Sequence, residues 1–418
     1  MTRGVTRSRI VPILAFFCLS CQIALAADQP KVDAETGAIR LLFLGDSFMA
    51  PGFPTPYYSD DPRIDVTPVP SEIGILGTDQ AGVEMALRYY RMYLPRSKAR
   101  LMEDYDEVII ADAQSHHLKN DFKFWIKDAV LEGGLGFMMV DGPASFGGKE
   151  GSWGPSPSWG PTPVGDILPV ECSEDRKGWD LGKVFRLVPE DPEHPLFKGK
   201  PWNAVFFYAH NRVLEREGGT VLARMDNNPP ESPMIASWDT GNGRSVALVF
   251  DWGGNGVTDF YRWEYCPDFL AHMAYFPARL PIPQDMELDH LVRISLVNYR
   301  EKRLFVISVI DFAEKFGASS KKLYDRLNEI DAEKAAADVH FRRVELEEAR
   351  DAIDAVLAAM SKVADEAMKS KDRALLWIYV IEWCVVTGTS MAAGSILYTL
   401  MIKRMLYREV EMTRARYR

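Results

Sequence analysis

From Trp383 to Ile402 the chain carries no charge, and about 20 such residues are what a helix needs to cross the hydrocarbon core of a bilayer. The wider segment Ala374 to Ile402 holds one charge, Glu382, near its start, where an interfacial, solvated position suits a carboxylate. Trp377, Tyr379 and Trp383 cluster on that side as an aromatic belt. Lys403, Arg404, Arg408, Arg414, Arg416 and Arg418 follow on the other side, which predicts a cytoplasmic tail over 403–418. Ser390 to Gly394 adds a small-xxx-small face that suits packing against another span.

A spanning segment at the C-terminal end asks how the preceding residues reach their side of the membrane. Arg3, Arg7 and Arg9, the apolar run Ile10 to Ala26, and Ala24-Leu25-Ala26 before Ala27 predict a cleaved secretory signal peptide over 1–26. A retained N-terminal anchor and a lipoprotein signal ending at Cys21 are the alternatives, the second weakened by the upstream Cys18-Leu19-Ser20. The expected topology is single-pass, with the globular part outside the cytoplasm and residues 374–402 in the bilayer. Two of the five cysteines then fall in the signal and Cys384 in the span. The sequence leaves open whether Cys172 and Cys266 pair.

Between the two apolar segments lie two kinds of sequence. Residues 27–283 alternate short β-rich runs with helical patterns, the order of a doubly wound, mostly parallel α/β sheet. The strands expected are Arg40–Leu44, Ile64–Val69, Glu107–Ala111, Leu135–Val140, Val205–Tyr208, Thr220–Arg224, Met234–Ser237 and Ser245–Phe250. Helices are expected over Ala81–Tyr93, after a Thr78-Asp79 start, and Asp121–Leu131, stopping at Gly133. Residues 284–373 form a helical stalk. Leu323, Leu327, Ile330, Lys334, Ala337, Phe341 and Val344 repeat at alternating spacings of four and three, and a seam shifted in phase runs Leu346, Ala349, Ile353, Val356, Met360, Val363 and Ala367. The pattern is coiled-coil-like, and a single helix of about 50 residues, roughly 75 Å long, and a compact hairpin both satisfy it. Stalk and span offer surfaces for self-association or a membrane-protein partner. The formal charge of −10, with basic residues gathered at the two ends, excludes a nucleic-acid partner for the body.

Ligands of open α/β sheets bind beyond the carboxyl ends of the strands. Those ends supply Asp46 and Ser47, Asp112 with His116 and His117, Asp141 and Ser145, then His210-Asn211-Arg212 and Asp251-Trp252. Any one of these residues serves structure more often than chemistry, since an Asp or Ser after a strand commonly caps the next helix. Together they define a crevice for a small ligand of unknown identity. The loop Gly147–Gly165 repeats Ser-Trp-Gly-Pro, and its Trp153 and Trp159 suit either a recognition surface or core packing. A metal site on Asp112, His116 and His117 is not expected, because adjacent histidines point apart on a helix and no third ligand follows. No cofactor is expected.

Leu41 to Ser47, Val108 to Asp112, Gly133-Gly134-Leu135-Gly136 leading to Gly142-Pro143-Ala144-Ser145-Phe146-Gly147, Pro163 to Val170 and His194 to Gly199 occur in that order. Over about residues 39–276 the chain resembles the class I glutamine amidotransferase-like family. The resemblance implies a flavodoxin-like α/β fold and, in active members, an elbow cysteine assisted by a His-x-Glu pair. The elbow position falls at Asp141 or Gly142. No His-x-Glu follows His210, and His272 precedes Met273-Ala274. These departures point to a binding module without glutaminase activity. Cys172 is a displaced nucleophile candidate, with Glu171 expected to raise its pKa. A hydrolase using the same crevice is the alternative, either an amidohydrolase or an SGNH-type esterase. The second is suggested by Gly45-Asp46-Ser47 and by Asp191-Pro192-Glu193-His194, though no G-x-N-D block accompanies them.

Overall fold

A computed structural model describes residues 30–148, 156–173, 178–226, 232–252, 260–317 and 319–415. The segment read as a signal peptide and Trp153 lie outside them. In chain order the elements are β1 (Ile39–Gly45), α1 (Thr55–Asp60), β2 (Ile64–Pro70), α2 (Ile73–Leu76), α3 (Gln80–Tyr93), α4 (Lys98–Asp104), β3 (Glu107–Ala111), α5 (Asn120–Gly133) and β4 (Gly136–Val140). Then come β5 (Val170–Cys172), β6 (Trp179–Phe185), β7 (Leu187–Pro189), β8 (Phe207–Asn211), β9 (Val213–Glu215), β10 (Thr220–Met225), β11 (Pro233–Thr240) and β12 (Gly243–Leu248). Four helices close the chain: α6 (Cys266–Tyr275), α7 (Met286–Lys315), α8 (Lys321–Arg342) and α9 (Leu346–Ala415).

Apolar runs with no polar alternation, such as Leu41–Leu44 and Val108–Ala111, suit strands covered on both faces, and these residues are buried throughout. The main sheet has the order β2-β1-β3-β4-β12-β11-β10-β7. The first five strands are parallel. The last three are antiparallel, as a mostly parallel sheet allows, and the cause is local. Thr240 pairs with Gly243, so Gly241-Asn242 alone joins β11 to β12. A two-residue link makes a hairpin and is too short for the crossover that parallel strands need.

β1 lies between β2 and β3, so the chain leaves β1 in one direction and later returns past it in the other. Right-handed crossovers then put α1 on one face and the α3–α5 helices on the opposite face. Packing agrees: α1 contacts α6, and α4 contacts α5. Local signals set the helix ends. Asp79 caps α3 by accepting the Gly82 N–H at 3.0 Å. α5 stops at left-handed Gly134, φ +69°, one residue beyond the expected Gly133. Small antiparallel pairs β5–β9 and β6–β8 complete the body. β6 escaped the sequence reading because charge and Gly182 interrupt its alternation, and β8 lies further along than the expected Val205–Tyr208.

The chain divides into two compact units, one comprising residues up to Val297 with Ala337–Asp351, the other Asn298–Ala336 with Ala352–Arg418. The phase break in the stalk is a turn over Arg343–Glu345, with Val344 at φ +61°, so the apolar seams lie on separate helices and the single 50-residue helix does not form. Leu323, Leu327 and Ile330 on α8 and Val356, Met360 and Val363 on α9 are buried, whereas Lys334 stays half-exposed. Arg303 on α7 grips Asp331 on α8 at 2.7 Å, and Lys302 reaches Ser361 on α9 at 2.9 Å. Beyond Ala374 the α9 side chains are exposed although apolar, Trp383 at 72%. Among the described residues α9 is the one helix long and apolar enough to cross a membrane, judged by length and composition.

Candidate functional site

The ends of β1, β2 and β3 are laced together at the point where strand order reverses. Gly45 has φ +95°, and a Cβ there would lie 1.8 Å from the Ala111 carbonyl oxygen, so only glycine lets the chain cross the end of β3. Its N–H donates to Ser71 Oγ at 3.0 Å, and its carbonyl accepts from the N–H groups of Ser71 and Glu72. Asp46 N–H donates to Ala111 O at 2.8 Å. Glu72 then caps α2, accepting from Gly74 N at 2.5 Å and Ile75 N at 2.6 Å.

Asp112 follows β3 in the left-handed region, φ +50°, a conformation that Asp and Asn tolerate better than most residues. Its Oδ1 accepts from Ala144 N at 2.6 Å, and its own N–H donates to Ser145 Oγ at 3.0 Å. Gly142, at φ +147°, presses against it: a Cβ there would lie 2.4 Å from Asp112 Cγ. Asn211 clamps the same turn. Its Oδ1 accepts from Gly142 N, and its Nδ2 donates to the carbonyls of Gly142, Ser145 and Gly178. Asp141 Oδ2 accepts from Trp179 Nε1 at 3.0 Å, while its Oδ1 is buried without a partner.

Asp46, Glu72, Asp112, Asp141 and Asp251 thus gather at the strand ends. Burial, reinforced by repulsion from Glu72 and Asp251, holds the Asp46 carboxyl well above the usual range. Burial and then Glu72 do the same to Asp112, and burial and then Asp251 to Asp141. Glu72 is also raised by burial, less so because two backbone N–H groups favour its ionised form. Glu72 and Asp112 titrate as neighbours, the Glu72 charge adding to the upward push on Asp112. Among the described residues none of Asp46, Glu72, Asp112 and Asp141 forms an ion pair. No metal-binding group of His, Cys, Asp and Glu occurs among the described residues.

The structure separates the sequence candidates. Asp46, Ser47, Asp112, Asp141 and Asp251 stand at strand ends, and Ser47 Oγ is buried with no hydrogen-bond partner, so no base is hydrogen-bonded to that hydroxyl. His194, the other half of the esterase pattern, uses Nδ1 to accept the Leu196 N–H of its own turn. Ser145 is fully buried and spends its hydroxyl on the Asp112 backbone. Trp159 is no exposed platform: it is fully buried, and its Nε1–H donates to the carbonyls of Ala113 and Ala144. His210 sits within β8 rather than past a strand end, buried edge-on to Phe185. His116 and His117 occupy a turn rather than a helix, their rings 4.1 Å apart, and burial lowers the pKa of both. Cys172, a free thiol like Cys266, is pushed up to about 12 by burial, the cause being desolvation and not Glu171.

Glu72 is the residue the sequence reading missed. The strand-end rule that yields Asp46, Asp112 and Asp141, applied after Val69-Pro70, yields Ser71-Glu72.

With this geometry in place, the comparisons with known proteins fall into order. Residues 95–275 match the model of the family described as "Putative glutamine amidotransferase". Among solved structures, the chain is similar to cytoplasmic protein STM3548 from Salmonella typhimurium at 18% identity and TM-score 0.45, over 57% of this chain and 98% of that one. Cytoplasmic protein STM1381 from Salmonella typhimurium LT2 is similar at 21% identity and TM-score 0.44, over 57% and 99% of the two chains. No curated protein matches the chain by sequence.

Proposed function

We propose that this chain is a membrane-anchored binding module whose flavodoxin-like, amidotransferase-like body lies outside the cytoplasm and takes a small ligand at the strand-end crevice without hydrolysing glutamine. The elbow carries the reading. Amide hydrolysis on this fold needs a thiolate on the turn after β4, and that turn holds Asp141, tied to Trp179, and Gly142, whose side-chain space Asp112 fills. Cys172 is half-buried, and its raised thiol is protonated at neutral pH. His272 bonds to Asp289 and Lys200 rather than to a thiol.

The parallel order β2-β1-β3-β4-β12 supports the flavodoxin-like assignment. Carboxyls without cationic partners, together with the orphaned Ser47 Oγ and Asp141 Oδ1, favour a ligand that brings N–H donors, an amine above all. Such a ligand supplies the charge and hydrogen bonds the site lacks. The exposed apolar stretch of α9, flanked by aromatic and basic residues, supports the anchor.

Full-length protein in detergent, incubated with glutamine, is expected to release no ammonia above background. Release that Cys172→Ala abolishes would overturn the non-catalytic reading, and ester turnover abolished by Ser47→Ala would establish the hydrolase instead. Protease added outside intact spheroplasts is expected to digest the body while sparing a C-terminal tag; the converse pattern reverses the topology.

A further inference from the structure

A second constellation lies in the body, built from residues that the crevice does not use. Lys200 Nζ is 3.2 Å from His272 Nδ1, and His272 Nε2 is 2.9 Å from Asp289 Oδ2. All three residues are buried, His272 at 1% and Asp289 at 0% exposure. Asp289 also accepts from Arg293 Nε at 3.0 Å, which keeps it ionised. An ionised Asp289 can only accept, so His272 carries its proton on Nε2 and offers the Nδ1 lone pair to Lys200. The line Asp289–His272–Lys200 repeats the logic of an oriented base beside a nucleophile, with an amine in the nucleophile's place.

Lys200 also lines a cavity of about 590 Å³, whose other walls include Pro192, Phe197, Trp202, Asn203 and Tyr265. That volume is in the range of small-molecule sites, and its lining is apolar and aromatic with a single amide. Burial draws the Lys200 amine down to about 8, with Asp268 and Asp289 opposing the shift and Arg293 adding to it. About a tenth of it is then neutral at pH 7, against well under a thousandth for an ordinary lysine. Burial, followed by the neighbouring ammonium, lowers His272 to about 4, so the ring is neutral and free to accept a proton. Among the described residues no carboxylate forms an ion pair with Lys200.

We propose that Lys200 is a reactive amine that condenses with a small apolar aldehyde or ketone entering this cavity, with His272 as its proton acceptor and Asp289 orienting the imidazole. The neutral Lys200 amine adds to the carbonyl carbon, forming the C–N bond as the carbonyl π pair moves to oxygen, and one N–H proton passes by way of His272 Nδ1 to that oxygen to give the carbinolamine. The remaining N–H proton follows the same route, the C–O bond breaks to release water, and the nitrogen lone pair closes the C=N bond. The net change is amine plus carbonyl to imine plus water, with no oxidation or reduction.

The test uses the full chain in detergent with benzaldehyde as probe, cyanoborohydride to trap the imine, and peptide mass spectrometry to read each lysine. At pH 7 Lys200 is expected to be modified at least tenfold faster than the exposed Lys119. Its rate should be half-maximal near pH 8, while that of Lys119 still climbs beyond pH 9. Lys200→Arg should abolish that site's label, and His272→Gln should slow Lys200 at least fivefold while leaving Lys119 unchanged. Modification of Lys200 no faster than Lys119 in the folded wild-type protein overturns the proposal, as does a parallel pH profile for the two. Both comparisons are internal to one protein, need no variant to fold, and are independent of whether the strand-end crevice binds anything.

Discussion

Two buried groups of carboxylates in this body are treated in opposite ways. At the strand ends Asp46, Glu72, Asp112 and Asp141 crowd one another and, among the described residues, meet no cation, and all four are pushed upward. Where α1, α6 and α7 meet, Asp61 and Asp289 share Arg293, whose Nη1 lies 2.5 Å from Asp61 Oδ2 and whose Nη2 donates to the Tyr275 hydroxyl at 3.0 Å. Burial works against ionisation of Asp289 too, but Arg293 and His272 outweigh it and hold that carboxyl below the usual range. Desolvation acts in the same direction on both groups, and the opposite outcomes follow from the presence of a partner. A paired carboxylate tells how the helices are joined. The unpaired ones line the crevice we propose for a ligand.

The largest effect should come from breaking the paired group. Arg293→Met removes the one guanidinium serving Asp61 and Asp289 and strands both charges in a dry interior, at a cost of about 3–5 kcal/mol. Thermal unfolding in detergent should show a large fall in the midpoint. A shift no greater than that of an exposed Arg→Met control would mean that the pairing is idle.

The same change of charge at the unpaired group should have the opposite sign. Asp112→Asn keeps an oxygen for the Ala144 N–H, removes the repulsion from Glu72, and suits the left-handed backbone. It imitates the protonated acid without needing a proton. The folded pKa of Asp112 is raised, so its favourable contribution is complete below the unfolded value of about 3.9 and is lost as pH rises through the folded value. The substitution should therefore stabilise by about 1–2 kcal/mol at pH 8 and change little at pH 4. Destabilisation at pH 8 would show that the site holds its charge by means other than protonation of Asp112.

Asp289 sharpens the contrast through pH alone. Its folded pKa is depressed, so its stabilisation is present above the unfolded value near 4 and lost as pH falls through the lower folded value. In the Asp112→Asn background, where the strand-end penalty is relieved, acid unfolding should be governed by Asp289 and should steepen below about pH 4. Replacing Asp289 by Asn in that background should remove the steepening.

The two groups were unequally legible in the sequence. The strand-end carboxylates follow apolar runs directly, so Asp46, Asp112 and Asp141 could be found by locating strands, and Glu72 by the same rule. Their lack of partners could not, because it depends on what the rest of the chain fails to bring. Little local marks the paired group: Asp289 and Arg293 stand four residues apart on α7, but Asp61, Lys200 and His272 lie on other segments that only the packing of the helices brings to them. The antiparallel edge was equally hidden, since Gly241-Asn242 settles strand direction by its length and not by the strands' own composition. Trp159 was open to either reading because a tryptophan's sequence neighbours do not say whether it faces a ligand or two carbonyls.

A weaker member of the paired group tests how far the rule extends toward solvent. His290 Nδ1 lies 2.8 Å from Asp268 Oδ2, and its ring stacks on Tyr265 at 4.2 Å. The hydrogen bond to Asp268 raises the His290 pKa against the smaller opposing effect of burial. A raised histidine stabilises fully below its unfolded value of about 6.5, and the contribution fades as pH rises through the folded value. Glu264 on the other side of the ring is largely exposed, its side chain 71% open, so solvent screens much of that attraction. His290→Gln should therefore cost about 1 kcal/mol or less at pH 6, and that charge-dependent part should disappear by pH 9, leaving only the lost stacking. A cost independent of pH would show that the ring acts by packing alone, and partner-controlled ionisation would then be confined to the fully buried pairs around Arg293.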